Sequence, residues 1–255
     1  MIQVAGLTKL YGDFRAVEDL TFAVGAGEVL GLVGPNGAGK TTTLRCLVGI
    51  IRPSQGKITI AGHDLETDAI AAKSRLAFIP DEPRLFDYLT VTEHLRFAGR
   101  LYGVDQIDER AATLLREVEL EGRERSLPGE LSRGMKQKLA IACGLLHDPS
   151  VILLDEPLTG LDPVGIRRMK DAIARRAAAG AAVLISSHLL SLVEEICDRV
   201  LIIRQGRKVI HGSLDEIKAS LPRLTSDASL EDIFFALTGD GDSAPEESPP
   251  PAKPE

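Results

Sequence analysis

The chain has 255 residues, 44% of them apolar and 26% charged, with a formal net charge of −7. That length allows one large core or two lobes sharing an interface, and nothing in the acidic balance advertises nucleic-acid binding. Apolar runs such as residues 151–154 and 181–185 fall far short of the about 20 residues that a membrane-spanning helix needs, so no bilayer-crossing segment is expected.

The opening MIQVAGLTKLYG alternates apolar and polar positions and lacks the basic-then-apolar layout of a secretory signal, which points to a cytoplasmic protein. Through about residue 30 the alternation continues, with short turns at Gly12 and Asp13 and again at residues 25–27. This pattern predicts a small antiparallel sheet flanking the core. Strand-like runs then recur at residues 29–33, 57–60, 76–79, 151–154, 183–186 and 200–203, alternating with helical patterns at 40–51 and 163–179. Such runs, apolar on both faces, predict an α/β core built on a mostly parallel sheet. Between residues 85 and 148 helical patterns replace strands, with Thr90 and Glu93 spaced as a capping box, so an α-helical subdomain is expected to be inserted there. Cys46, Cys143 and Cys197 lie among aliphatic residues with no CxxC or Cys/His cluster, as buried free thiols do. The end of the chain, residues 240–255, is rich in Pro, Ser and acid and is expected to be disordered.

The most informative motif is GPNGAGKTT, comprising Gly34, Pro35, Asn36, Gly37, Ala38, Gly39, Lys40, Thr41 and Thr42, set between a strand and a helix. Glycines let the backbone wrap a phosphate, the N–H groups converge on it, and the helix points its positive end at the same place. Lys40 is expected on the β and γ phosphates, Thr41 on Mg²⁺ and Thr42 near the α-phosphate. The loop sets the ligand class, a nucleotide, and is shared by kinases, GTPases and ATPases. Further along, VILLDEP ends a buried strand in two acids. Asp155 is placed to meet Mg²⁺ and Glu156 to polarise an attacking water.

LSRGMKQK precedes that strand by about twenty residues, LTGLDP follows it directly, and SSH ends the next strand. With Tyr11 before the first turn, this series resembles the ATP-binding cassette family over residues 1 to about 215. The resemblance implies a P-loop ATPase domain over residues 1–239, with the helical lobe at about 85–148 and a C-terminal helical end at about 213–239. It implies ATP and Mg²⁺ as ligands and hydrolysis coupled to transport.

By the same resemblance, Tyr11 would stack on adenine and His188 would hold the γ-phosphate in cis with Glu156 as catalytic partner. The signature Leu131, Ser132, Arg133, Gly134 and Met135 would reach a partner's nucleotide through Ser132 and Gly134, and Asp162 would couple the two sites. A second nucleotide-binding subunit, identical or not, and separate transmembrane permease subunits are the implied partners, placing the chain peripherally on the cytoplasmic face of the membrane. The SLEDIFFALTG end and the GMKQK-type signature resemble exporters. Two motifs depart from the family pattern: the signature reads LSRGM in place of LSGGQ, so that Arg133 and Met135 alter its edges, and Asp81 stands where the family usually has glutamine, at a position that could still ligate Mg²⁺. The competing reading is a soluble cassette ATPase acting in translation or on nucleic acid, and a metabolic P-loop kinase leaves LSRGMKQK and SSH unexplained.

Overall fold

The computed structural model describes residues 1–160, 162–221 and 228–238, so the expected disordered tail lies outside the described residues. Alternation at the start of the chain becomes a hairpin of β1 (Ile2–Tyr11) and β2 (Phe14–Val24), whose inward residues Ile2, Val4, Leu7, Leu20 and Phe22 are buried. The strand β3 (Val29–Val33) is buried along its whole length, and α1 (Lys40–Leu47) follows it after the glycine-rich loop. This helix stops four residues short of the expected end because the chain turns at Val48 and Gly49, where the Gly49 N–H donates to the Cys46 carbonyl at 3.0 Å.

Next come β4 (Gln55–Ile60), β5 (His63–Asp64), α2 (Ala69–Ser74) and β6 (Leu76–Ile79). The run at 57–60, expected among the core strands, instead pairs antiparallel with β1. Its one-sided burial suits a sheet covered on a single face. The inserted lobe then supplies α3 (Val91–Leu101), α4 (Ile107–Glu117) and α5 (Arg133–Leu145). Thr90 and Glu93 form the predicted capping box: the Thr90 hydroxyl accepts from the Glu93 N–H at 3.3 Å, and the Glu93 carboxylate accepts from the Thr90 N–H at 2.7 Å. The chain returns to the core through β7 (Val151–Asp155), α6 (Pro163–Ala178), β8 (Ala182–Ser186), α7 (Leu190–Ile196), β9 (Arg199–Arg204) and β10 (Arg207–Gly212). It closes with α8 (Leu214–Ser220) and α9 (Leu230–Thr238), which bury Ile217, Leu230 and Ile233 against Val200 and Ile202.

The central sheet runs β10-β9-β3-β8-β7-β6, parallel from β9 to β6, with β10 antiparallel at one edge. Successive side chains of its strands enter different cores. Leu30, Leu32, Leu153 and Leu184 pack with α1 and the antiparallel sheet, while Ile79, Ile152, Leu154 and Ile185 pack with the helical lobe and α6. Each fully buried aliphatic side chain contributes roughly 1.5–3 kcal/mol, so both layers are anchored by the same strands. The α/β class and the mostly parallel sheet follow from this double covering.

Candidate active site

In a parallel sheet, loops leaving the carboxyl ends of the strands collect on one edge. Here four adjacent strands deliver the candidate residues there: β3 leads into the glycine-rich loop, β8 into Ser187 and His188, β7 into Asp155 and Glu156, and β6 into Pro80 and Asp81. Of these, Asp81, Asp155, Glu156 and His188 line an open cleft of about 510 Å³ together with Asn36, Lys40, Thr41 and Thr42 of the loop. That size falls within the range of roughly 300–1,000 Å³ that small-molecule sites occupy.

At two positions the loop packs so closely on the surrounding backbone that only glycine fits. A Cβ on Gly34 would lie 2.3 Å from the Ile203 carbonyl oxygen, and one on Gly39, whose φ is +102°, would lie 2.5 Å from the carbonyl oxygen of Ala16. Gly39 caps α1 without any side-chain hydrogen bond and no acid sits in the first turn, so the leading N–H groups face the cleft free of a competing anion. The Lys40 ammonium donates to the carbonyls of Gly34 at 2.6 Å and Pro35 at 3.2 Å, folding across the loop. Burial lowers its pKa, and the charges of Glu156 and Asp155 oppose that shift.

Asp155 is buried at the end of β7, where the Ser186 hydroxyl donates to Oδ1. Burial pushes its carboxyl pKa up, a hydrogen bond from Ser186 draws it back, neighbouring Glu156 and Asp81 raise it further, and Thr41 bonds it from the loop side. Glu156 has φ +48°, a left-handed conformation that costs a non-glycine residue about 1–3 kcal/mol. The twist turns it away from Asp155 and toward His188, whose Nδ1 lies 2.8 Å from Glu156 Oε2. Ser187 Oγ and the His188 N–H reach the same oxygen at 3.4 Å. One acid therefore faces the loop hydroxyl and the other faces the histidine. Among the described residues no group of three or more His, Cys, Asp or Glu side chains could hold a metal by itself. Thr41 and Asp155 suit a hard cation that keeps phosphate and water among its ligands, which is how Mg²⁺ is commonly bound.

Other candidates sit outside this cleft. Ser132 caps α5, its side chain accepting from the Met135 N–H at 3.3 Å, and Leu131 is buried. Ser132, Gly134 and Met135 do not line the cleft of their own chain. Asp162 caps α6, accepting from the Gly165 N–H at 3.1 Å. Asp81 does line the cleft, with its Oδ1 3.3 Å from Arg133 Nη2. Tyr11 is half-exposed with the Lys9 ammonium 5.1 Å from its ring centroid, and the ring at the cleft belongs to Phe14, its partner across the hairpin.

A family profile described as ABC transporter matches residues 17–159, more than half of the chain. The chain belongs to the ABC transporter family. It is 33% identical over 240 residues to the ABC-type transporter ATP-binding protein EcsA of Bacillus subtilis (strain 168), covering 93% of this chain and 96% of that one. It is 39% identical over 209 residues to the SkfA peptide export ATP-binding protein SkfE of the same strain, covering 81% and 87%. A solved structure of an ATP binding subunit of an ABC transporter superposes with a TM-score of 0.89 at 38% identity, covering 93% of this chain and 99% of that one. The protein is thus an ATP-binding, ATP-hydrolysing subunit of this family, and no helix among its described residues is long and apolar enough to cross a membrane. Sequence reasoning within the ABC pattern passed over Phe14, Ala16 and Thr159, which also line the cleft. For Phe14 the available signal was a second ring flanking the Gly12 turn. Register shifts within the hairpin decide which ring faces the loop, and strict alternation does not show them.

Proposed function

We propose that this subunit powers export through separately encoded membrane subunits, as one of a pair of cassettes on the cytoplasmic face of the cell membrane. The observation that carries the reading is a groove of about 820 Å³ on the helical lobe, lined by Leu85, Phe86, Phe97, Leu101 and Tyr102, which continues past Asp81 to Thr41 and Asp155. An apolar groove of that kind suits an amphipathic cytoplasmic helix of a membrane subunit. An occupant there would touch residues that border the nucleotide cleft. Export is favoured by the SkfE relative, whose name specifies it.

ATP would lie with its phosphates on residues 34–42, Lys40 turning from its loop carbonyls to the β and γ phosphates. Thr41 and Asp155, with Asp81, would hold Mg²⁺, which supplies charge neutralisation at the transferring phosphate. Glu156 accepts the proton of the attacking water, and His188 positions the γ-phosphate from the other side of the same carboxylate. The placement of Ser132 and Gly134 away from their own cleft supports a role in a second cassette's site, with Asp162 between the two. Affinity purification from detergent-extracted membranes tests the docking: the wild type should retain a membrane polypeptide, and Phe86→Asp with Leu101→Asp should release it while ATP binding persists. Co-purification of ribosomal or nucleic-acid components alone would overturn it.

A further inference from the structure

Two of the positions where the motifs leave the family pattern, Arg133 and Asp81, meet in space. Arg133, the third residue of LSRGM, sends its guanidinium to Asp81, 52 positions earlier in the chain, at 3.3 Å. Its aliphatic stem lies across Gly160 in the loop after the acidic strand, 3.3 Å from where a Cβ would stand. One turn further along the same face of α5, the buried Gln137 donates to the Pro80 carbonyl at 3.3 Å. Consecutive residues of the loop after β6 are therefore gripped by residues four apart on α5, the spacing that places side chains on one helix face.

Charge gives this grip a second meaning. Asp81, Asp155 and Glu156 line the cleft together, with Lys40 as the cation opposite them. Arg133 is a further cation bound to this group, and it reaches the carboxylate nearest the lobe. We propose that Arg133 and a Mg²⁺-nucleotide compete for Asp81, so that Arg133 is a positioning residue setting the metal affinity of the site. Both partners of the ion pair are about half exposed, at 58% and 42% for their side chains. A pair of that kind is weak and exchangeable, suited to being traded for a metal contact. Because Arg133 is the first residue of α5, directly after its cap Ser132, the trade also frees the start of the signature helix.

This inference rests on the placement of Asp81 beside the metal in the reading above. The test uses Mn²⁺ as the probe, its affinity in the presence of ATP measured by electron paramagnetic resonance on the full chain carrying Glu156→Gln to prevent turnover. Arg133→Ala should tighten Mn²⁺ binding about two- to fivefold, the range corresponding to an exposed ion pair, and Arg133→Lys should restore most of the original affinity. In an Asp81→Asn background Arg133→Ala should lose that effect, because only a direct pair depends on the carboxylate. A long-range effect of removing one positive charge would persist in both backgrounds, and such equal effects would overturn the proposal while leaving Asp81 at the metal. A Mn²⁺ affinity indifferent to Asp81→Asn alone would overturn the metal placement, and the proposal with it.

Discussion

The carboxyl ends of the central strands and the join between the helical lobe and α6 both bring charged groups together, yet they hold them by different means. At the strand ends, Asp155 and Ser186 are buried and positioned by strand register, with Asp155 opposite Ser186. Glu156 next to them keeps a strained backbone. At the lobe, Glu119 joins Lys138 and Arg168 at 3.0 Å each, and Glu117 meets Arg175 at 2.5 Å, on side chains that are mostly part-exposed. Buried groups keep their geometry at a cost in solvation, and part-exposed ones exchange partners at little cost. Chemistry that needs a fixed arrangement therefore sits at the strand ends, whereas the ion pairs at the join, which lie around the buried contacts between lobe and core, are ones that can be remade.

The sharpest way to break this comparison is at Glu156. Glu156→Gln should lower ATP hydrolysis about 10²–10⁴-fold while ATP remains bound, measured as turnover against nucleotide retention. A variant turning over at the original rate would remove the residue from the chemistry. A smaller effect is expected at the edge of the cleft. Phe14→Ala should weaken ATP binding by about 1–3 kcal/mol, the worth of a base–aromatic stack, and more than Tyr11→Ala does. Titration calorimetry giving the larger loss to Tyr11→Ala would place the adenine on the other ring.

The fixed region should also show its solvation cost. Burial raises the Asp155 pKa, so the folded state binds its proton more tightly than the unfolded state does. Stability from this group is therefore greatest below the ordinary carboxylate pKa near 3.8 and falls as pH rises through the higher folded value. Asp155→Asn should accordingly raise stability at neutral pH by on the order of 1 kcal/mol, within the usual range for stabilising changes. That gain should shrink in melts at acidic pH and be accompanied by weaker metal binding. A variant less stable at pH 7 would mean that the Ser186 and Thr41 hydrogen bonds outweigh the burial. The smallest effect belongs to the lobe: Glu119→Gln should cost under about 1 kcal/mol, since it removes part-exposed ion pairs only. A chemical denaturation loss well above that would show the join to be as rigid as the strand ends.

Much of the cleft was legible because its residues are contiguous. The loop at 34–42, the acids closing β7 and the histidine after β8 each follow a buried strand, and a parallel sheet gathers such strand ends. The capping box at Thr90 and the central strands could be read for the same local reason. Other features depend on residues far apart in the chain. The run at 57–60 reads as a strand in either sheet, and its partner β1 was chosen by which face could be covered. The edge strand β10 at 207–212, mostly exposed along its first half, gave little apolar pattern to detect.

Local pattern thus determined the α/β class, the phosphate loop, the paired acids and the order of motifs, because propensity, burial period and glycine geometry act over a few residues. Tertiary structure alone decided that Phe14 and not Tyr11 borders the cleft, that Glu156 turns to His188, and that Asp81 meets Arg133. Each of those depends on hairpin register, on a strained backbone angle or on the packing of a lobe inserted between β6 and β7, and interactions between groups distant in sequence are set only when the sheet and the lobe close on one another.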